Sequence, residues 1–162
     1  MIRVERAALD RIEEAYAIVQ EYYEAVDVMV REDAGSFARE YFGTGSGIWL
    51  AEDGEAVVGC IALRPLHGRP ASGEVKRLYV RPEYRGQGVA DRLLGALERY
   101  ALERGYAALY LDTKDDLTAA IRFYQKHRYV SCERYNENPQ ATLFLSKNLP
   151  FSSTRLRRHP GT

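Results

Sequence analysis

The chain has 162 residues, a length that accommodates one domain with a full hydrophobic core and leaves little room for a second. Apolar residues make up 46% of the sequence and charged residues 28%, which is typical of an ordinary globular domain. The 23 basic residues are balanced by 23 acidic ones, so no overall field attracts nucleic acid or an anionic membrane, and any bound anion must be held by a local arrangement of groups.

The start of the chain and its cysteines predict a cytoplasmic protein. The charged first residues are not followed by the apolar stretch of a signal peptide, and no run approaches the roughly 18 apolar residues of a membrane span. Cys60 and Cys132 are too few for a disulfide framework, and both lie in apolar, strand-like sequence. We therefore predict two buried, free thiols in a reducing compartment.

Hydrophobic periodicity predicts the elements of the N-terminal half. Residues 2–6 are expected to form a strand and residues 9–28 an amphipathic helix, because apolar side chains recur at helical spacing from Ile12 to Val26. A second helix is expected over residues 31–42. Strands are predicted over residues 48–51, 55–63 and 74–80, with a tight turn at Asp53-Gly54 and a loop over residues 64–73.

The C-terminal half contains the clearest helix, over residues 88–104, with Gly105 as its cap. The other predicted elements are a strand over residues 107–113, a helix over residues 117–127 with Asp116 or Thr118 as its N-cap, and strands over residues 129–134 and 141–149 joined by a turn at residues 136–139. Residues 1–149 are thus predicted to form one α/β domain, a mixed sheet with helices on its faces. The Ser-rich, basic residues 150–162 are predicted to form a flexible, solvated tail.

Chemistry is indicated by the segment Arg85-Gly86-Gln87-Gly88-Val89-Ala90, which joins the end of a predicted strand to the start of the long helix. Gly86 and Gly88 let the backbone turn tightly and approach a ligand closely. The first turn of a helix exposes N–H groups without intrahelical acceptors, and the helix dipole adds partial positive charge there. These features predict an anion site suited to a pyrophosphate, with Arg85 adding a charge-assisted contact.

Two other glycine-containing phosphate motifs do not fit this segment. The dinucleotide fingerprint of the Rossmann fold needs a third glycine, which is absent here. The Walker loop needs Gly-Lys-Ser/Thr, which is also absent.

The segment matches the Arg/Gln-x-x-Gly-x-Gly/Ala signature of the GNAT acetyltransferase superfamily, which the chain resembles from about residue 48 to residue 149. The preceding strand, Pro82 and the long helix follow in the family's order, and residues 76–82 and 135–139 are similar to a branch of small bacterial members. The resemblance implies a central mixed, mostly antiparallel, twisted sheet that is splayed at its fourth strand, with helices on both faces.

The resemblance also implies an acetyl-CoA site. The pyrophosphate would be held by Arg85, Gly86, Gln87, Gly88, Val89 and Ala90. Leu78, Tyr79 and Val80 would lie along the pantetheine arm, which runs beside the splayed strand like an added strand, and the Val80 N–H would stabilise the oxyanion. Tyr124 matches the family's helix tyrosine near the CoA sulfur and would protonate the leaving thiolate, whose pKa is about 8.5 if it resembles that of cysteine.

An amine acceptor must lose a proton before it attacks, since a lysine-like ammonium has a pKa of about 10.4. Glu74, at the start of the strand beside the acyl group, is the predicted base, directly or through water. Attack would be direct, without an acyl-enzyme, because positioning both substrates supplies much of the catalysis. Topology suggests that the acceptor site is bordered by Tyr22, Tyr23, Arg31, Asn136 and Asn138.

Some residues depart from the family's pattern. Leu117 stands where members often carry an asparagine, which removes a cofactor contact. Arg128-Tyr129 replaces the common Gly-Phe after the helix, at the cost of a favourable cap. Lys76 and Arg77 are predicted to lie on a solvated face, and the three histidines lack metal-ligand spacing, so no metal is expected.

Several alternatives stay open from the sequence. The same fold could sense acyl-CoA without turnover, although the presence of both Glu74 and Tyr124 favours an enzyme. DNA binding through the basic tail is disfavoured by the neutral overall charge. The acceptor could be a small amine, an amino acid, an aminoglycoside, a peptide N-terminus or a lysine side chain, the donor could carry a longer acyl group, and the chain could be a homodimer.

Overall fold

The structure, a computed structural model, describes residues 1–27 and 32–150. Its strands are β1 (Ile2–Arg6), β2 (Gly47–Asp53), β3 (Ala56–Pro65), β4 (Ser72–Val80), β5 (Ala108–Thr113), β6 (Val130–Ser131) and β7 (Leu143–Asn148). Its α-helices are α1 (Ile12–Ala25), α2 (Ala34–Tyr41), α3 (Val89–Glu103) and α4 (Thr118–Lys126), with 3-10 turns at Leu9–Arg11 and Pro82–Tyr84. Arg31 and nearly all of the predicted tail, from residue 151 on, lie outside the described residues.

The strands form one seven-stranded sheet in the order β1-β2-β3-β4-β5-β7-β6. Every neighbouring pair is antiparallel except β4 and β5, which are parallel. These two central strands pair only over Ser72–Glu74 of β4 and then separate, although β4 continues to Val80. The predicted mixed, mostly antiparallel sheet, splayed at the fourth strand, is confirmed.

Helices cover both faces of the sheet and divide the core in two. On the α1/α2 face, α1 and α2 bury their apolar side chains against β2 and β3. On the α3/α4 face, α3 and α4 pack against the central strands. The side chains of β4 are shared between the two cores, since Val75 and Val80 pack on the α3/α4 face and Tyr79 on the α1/α2 face.

Two helices end in the same capping geometry. After α3, Gly105 takes a φ of 90°, and the Tyr106 N–H donates to the Ala101 carbonyl at 2.9 Å, which confirms the predicted cap. After α4, Arg128 takes a φ of 70°, a left-handed conformation that glycine adopts more easily, and the Tyr129 N–H donates to the Tyr124 carbonyl at 3.0 Å. The motif therefore forms with arginine in the position that suits glycine.

The N-cap predicted for α4 is wrong. Leu117 is the N-cap residue, and neither Asp116 nor Thr118 caps this helix end through its side chain, so the end lacks the usual hydrogen bond from a polar cap.

Several strands differ in length from the sequence prediction, and the contacts around β4 and β6 give the reason for these two. β4 begins at Ser72, because β3 on one side and β5 on the other extend the pairing into the predicted loop. The predicted strand at residues 129–134 shrinks to β6, because Arg134 folds the following chain into a loop by donating to the carbonyls of Asn138 and Ala141, both at 3.2 Å.

Cys60 is buried and Cys132 is half-buried, and both are free, so the prediction of burial holds for Cys60 alone. Within residues 1–27 and 32–150, no helix has the length and apolar character needed to cross a membrane. Nor does this part of the chain bring together three His, Cys, Asp or Glu side chains that could hold a metal ion.

Candidate active site

The separation of β4 from β5 leaves backbone groups of β4 facing an opening in the sheet. The Arg81 N–H donates to the Val58 carbonyl at 2.8 Å, and Tyr79 pairs with β3 two residues earlier. Because the backbone groups of a strand point alternately to its two sides, those of Leu78 and Val80 face the opening. Among the residues described, no strand pairs with this edge beyond Glu74. An extended ligand can add to such an edge.

A β-bulge interrupts the regular pairing of β4 with β3 and changes the direction of side chains in the middle of β4. Ala62 of β3 pairs with Lys76 and Cys60 with Tyr79, so one residue of β3 opposes two residues of β4, Arg77 and Leu78. Arg77 takes a φ of 61°, and its carbonyl accepts the Cys60 thiol at 3.1 Å. Burial raises the pKa of the Cys60 thiol, which therefore stays protonated and donates its hydrogen bond to the bulged residue.

The glycine segment after β4 forms an exposed turn into α3. Gly86 and Gly88 take φ values of 76° and 80°, and a side-chain atom placed on either would meet nothing within 4 Å. The Arg92 N–H donates to the Gly88 carbonyl at 3.1 Å, so the preceding amides of the first helical turn have no intrahelical acceptor. Val89, only 2% exposed, fixes this end of the helix in the core. The segment is thus an open, backbone-lined anion cradle.

Tyr124 is the buried residue of α4 and packs in the core of the α3/α4 face. Its ring packs edge-on against Phe123 and Tyr129, with centroids 5.3 and 5.5 Å away, and within the described chain no group hydrogen-bonds to its hydroxyl. Burial raises the pKa of Tyr124, and the nearby Tyr22 raises it further. Tyr22 itself packs in the core of the α1/α2 face, whereas Tyr124 packs in the core of the α3/α4 face.

Glu74 is 1% exposed, and both of its carboxylate oxygens are occupied. Oε1 accepts two guanidinium nitrogens of Arg64 at 2.8 and 2.7 Å, while Oε2 accepts the Tyr135 hydroxyl at 2.7 Å and the Asn136 amide at 3.2 Å. Burial alone would raise the pKa of Glu74, but Lys76, Tyr135 and Arg64 together lower it. Glu74 is therefore an ionised carboxylate whose contacts join β3, β4 and the loop before β7.

The solvated face predicted for Lys76 and Arg77 is wrong. The Lys76 side chain is 11% exposed, with its Nζ 3.7 Å from Glu74 and 3.9 Å from Asp112, and burial lowers its pKa. The Arg77 guanidinium lies 5.0 Å from the centre of the Tyr23 ring. The bulge disrupts the alternation of side chains along β4, and α1 and α2 cover the face onto which Arg77 turns.

Four of the five predicted acceptor-site residues fall in the described chain and lie along this face. Tyr22 and Tyr23 are adjacent rings of α1, 5.6 Å apart, and Tyr22 is 6.2 Å from the Tyr79 ring. Asn136 donates to both Glu74 and Asp112, and its side-chain oxygen accepts the Asn138 N–H at 3.1 Å, which folds the loop. The fifth residue, Arg31, lies outside the described residues.

Three residues that contact Glu74 or its neighbours Lys76 and Asn136 had no role in the sequence prediction: Arg64, Asp112 and Tyr135. They come from β3, β5 and the loop before β7, and no local motif surrounds them. Only the alternation along β5 gave a signal, because buried Leu109 and Leu111 on the α3/α4 face place Asp112 on the other face.

Comparison with known sequences agrees with this geometry. The chain matches the model of the Acetyltransferase (GNAT) family over residues 12–129. An uncharacterized N-acetyltransferase of Schizosaccharomyces pombe is 36% identical over 129 residues, which cover 75% of this chain and 78% of that protein. N-acetyltransferase 8B of Homo sapiens is 33% identical over 104 residues, 62% of this chain and 46% of that protein. The chain thus spans about half the length of the mammalian relatives that it matches.

Solved structures show the same fold. An acetyltransferase of the GNAT family from Staphylococcus aureus superposes with a TM-score of 0.79 at 20% identity, covering 93% of this chain and all of that one. The PaiA N-acetyltransferase of Thermoplasma acidophilum, solved in complex with coenzyme A, superposes with a TM-score of 0.67 at 16% identity, covering 91% and 99%.

The family model covers most of the chain and includes the splayed strand, the glycine segment and α4. The fold, the site and the relatives agree: this chain belongs to the GNAT acetyltransferase family, and the relatives that it matches carry the name of N-acetyltransferases.

Proposed function

We propose that this chain transfers an acetyl group from acetyl-CoA to a primary amine by direct attack in a ternary complex. One observation carries the proposal: the unpaired edge of β4 leads directly into the open glycine segment, so a strand-like arm and a pyrophosphate find adjacent backbone sites. When bound, acetyl-CoA supplies an acyl group that its thioester activates toward amines.

The cofactor is held chiefly by backbone groups. The amides of Gly86 to Ala90 bind the pyrophosphate, and both glycines leave room for it because no atom lies within 4 Å of either added Cβ. Arg85 donates from Nε to the Val80 carbonyl at 2.9 Å and so ties this segment to the strand. The groups of Leu78 and Val80 that face the opening bind the pantetheine arm.

The same strand end stabilises the transition state. The Val80 N–H donates to the carbonyl oxygen as negative charge develops there. The amine nitrogen forms a bond to the carbonyl carbon, the carbon–sulfur bond breaks, and the proton lost by the amine balances the one that the thiolate gains. Geometry matters most in such a reaction, because it makes a bimolecular step effectively unimolecular.

Tyr124 supports departure of the thiolate. Its raised pKa keeps it protonated at neutral pH, and its hydroxyl is without a partner in the described chain, so it can donate to the leaving sulfur. A thiol has a pKa of about 8.5, below that of the tyrosine, so complete proton transfer from Tyr124 is uphill and the hydrogen bond itself provides the stabilisation.

Glu74 has two roles open to it, and they differ in their pH dependence. As the base, Glu74 must release one of its hydrogen-bond donors before it accepts a proton, directly or through water. As an anchor, it holds Tyr135 and Asn136 at the edge of the acceptor site. The occupied oxygens and lowered pKa favour the anchor, since an efficient base has a pKa near the working pH.

A second candidate function is an acyl-CoA sensor without turnover. The observation that favours it is the same occupied carboxylate, which leaves Glu74 without a free oxygen for the acceptor's proton. Acetyl-CoA binding without thiol release across a broad panel of primary amines would establish the sensor in place of the enzyme.

Calorimetric titration with acetyl-CoA, followed by a thiol-release assay on that amine panel, tests the proposal. We expect the parent protein to bind and Gly88→Trp to bind about 100-fold more weakly, because the indole fills the cradle and displaces the amides from the pyrophosphate. Gly95→Trp is the matched control, since Gly95 is exposed on the same helix and a Cβ there also meets nothing within 4 Å. Failure of the parent to bind acetyl-CoA would refute the proposal.

A further inference from the structure

Asp91 places a carboxylate in the first turn of α3, directly after the glycine segment. Because Gly88 is the N-cap residue, Asp91 is the third residue of the helix. An acceptor side chain at this position can reach back to the N–H of the N-cap residue, and the helix dipole favours negative charge there. The Gly88 N–H is one of the amides that we propose for the pyrophosphate. Asp91 is therefore placed to compete with the cofactor for the same donor.

The end of α4 holds this carboxylate. Asp91 Oδ1 accepts the Lys126 ammonium at 2.9 Å and lies 2.8 Å from Nε2 of His127. Lys126 and His127 lower the pKa of Asp91, so the carboxylate is ionised and His127 Nε2 must be the donor. Within residues 1–27 and 32–150, no hydrogen bond joins Asp91 to the Gly88 N–H. The amides of the cradle thus stay open although an acid adjoins them.

The ion pair contributes more to the placement of Asp91 than to folding. The Lys126 side chain is 67% exposed and that of Asp91 35%, and a pair so open to solvent stabilises a fold little. His127 is more enclosed, and its ring lies 4.8 Å from that of Phe123, which fixes the direction of its donor. Lys126 lies in the last turn of α4, where the dipole of that helix favours positive charge.

We propose that Lys126 and His127 are positioning residues that hold Asp91 away from the cradle, and that Asp91, once released, competes with acetyl-CoA for the amides of the first turn of α3. The inference rests on the proposed acetyl-CoA site. Lys126 also offsets the negative charge of Asp91, which would otherwise repel a pyrophosphate. Affinity for the cofactor is thus set partly by side chains of α4, although the groups that bind the pyrophosphate belong to the backbone before α3.

The test measures acetyl-CoA affinity by calorimetry in variants of these three residues. The double variant Lys126→Met, His127→Leu should bind about 10-fold more weakly than the parent, because Asp91 is then free to turn to the Gly88 N–H. Adding Asp91→Ala to that double variant should restore the affinity to within about twofold of the parent, since the competing carboxylate is gone. In steady-state kinetics, the double variant should show a raised KM for acetyl-CoA and an unchanged kcat.

Two single variants separate this role from a structural one. Lys126→Met alone, at a largely exposed position, should keep the fold and weaken binding about threefold. Lys147→Met is the matched control, because Lys147 pairs with Glu98 of α3 at 2.8 Å and is only 20% exposed. This control should lower the free energy of unfolding, measured by chemical denaturation without cofactor, and keep the acetyl-CoA affinity of the parent.

Parent-like affinity in the double variant would overturn this inference. Weak binding that persists after Asp91→Ala would also overturn it, because Lys126 and His127 would then bind the phosphates directly. In both cases, acetyl-CoA binding by the parent would still uphold the proposed cofactor site. Absence of acetyl-CoA binding by the parent would overturn both the inference and the proposed function.

Discussion

The two halves of the site are built by different means. The proposed cofactor half is an exposed turn in which Gly86 and Gly88 take left-handed φ values and the backbone would supply the binding groups. The acceptor half is a buried cluster around Glu74, in which side chains of β3, β4, β5 and the loop before β7 bind one another. One half therefore tolerates side-chain changes that leave its backbone intact, while the other depends on the identity of each side chain.

This contrast suits a family in which one cofactor meets many acceptors. A pyrophosphate is the same in every reaction, so a backbone cradle that six consecutive residues encode is sufficient. An acceptor differs from one enzyme to the next, and polar side chains presented by several elements can change separately. The predictions below test this division, from the largest expected effect to the smallest.

Glu74→Ala should lower the free energy of unfolding by about 3 kcal/mol, because it removes the buried acceptor of the Tyr135 hydroxyl and leaves Arg64 with only Glu40 and Lys76 with only Asp112 as a carboxylate partner in the described chain. Gln87→Ala, in the exposed glycine segment, should change it by less than about 0.5 kcal/mol and leave acetyl-CoA affinity nearly unchanged. Chemical denaturation of the three proteins measures both. A similar loss in the free energy of unfolding in both variants would contradict the proposed difference between the two halves of the site.

Tyr124→Phe should reduce kcat about 100-fold while leaving the Kd for acetyl-CoA unchanged, because only the donor to the leaving sulfur is lost. Tyr129→Phe is the matched control: its hydroxyl donates to Glu98 at 3.1 Å, so it should lose stability and keep kcat. Steady-state kinetics and calorimetry on both variants make the comparison. Parent-like turnover in Tyr124→Phe would remove this tyrosine from the reaction.

The two roles of Glu74 are separated by Glu74→Gln. If the carboxylate is an anchor, kcat of this variant should fall, and the acidic limb of kcat/KM plotted against pH should stay at the same pH as in the parent. If the carboxylate is the base, that acidic limb should disappear. Tyr135→Phe removes one donor from the same carboxylate and serves as the matched comparison. A lost limb in Glu74→Gln would contradict the anchor role.

Acid should weaken the fold partly through Glu74. Its pKa is lowered in the folded state, so the ionised carboxylate stabilises the fold above its unfolded pKa of about 4.3, and this contribution is lost as the pH falls through the lower folded value. We expect the stability advantage of the parent over Glu74→Gln to narrow below pH of about 4.3. Chemical denaturation across this pH range measures the difference. For Glu83→Gln, an exposed control, the free energy of unfolding should change with pH in the same way as that of the parent.

Left-handed backbone positions should give the smallest effects, with opposite signs. Arg128→Gly should raise the free energy of unfolding by about 1 kcal/mol, because glycine relieves the strain at a φ of 70°. Gly88→Ala should lower it by about as much, since Gly88 has a φ of 80°. Gly95→Ala, in the exposed interior of α3, should raise it by about 1 kcal/mol. Thermal denaturation that showed stabilisation by Gly88→Ala would contradict this account.

Local sequence determined the elements and the cofactor half. The apolar stripe of α3, the cap at Gly105 and the open glycine turn all depend on residues within a few positions of one another, and each has the predicted form. The family signature lies in such a segment, which is why it could be recognised before the sheet order was known.

Tertiary structure decided the acceptor half. Glu74 meets Tyr135 across 61 positions and Asn136 across 62, and the burial of Arg77 depends on a bulge that only the pairing of β3 with β4 produces. No local pattern encodes such contacts, because closing a long loop becomes favourable only when the whole sheet forms. The sequence by itself therefore determined the glycine turn that we propose for the pyrophosphate, and the tertiary structure decided which side chains surround Glu74 in the proposed acceptor half.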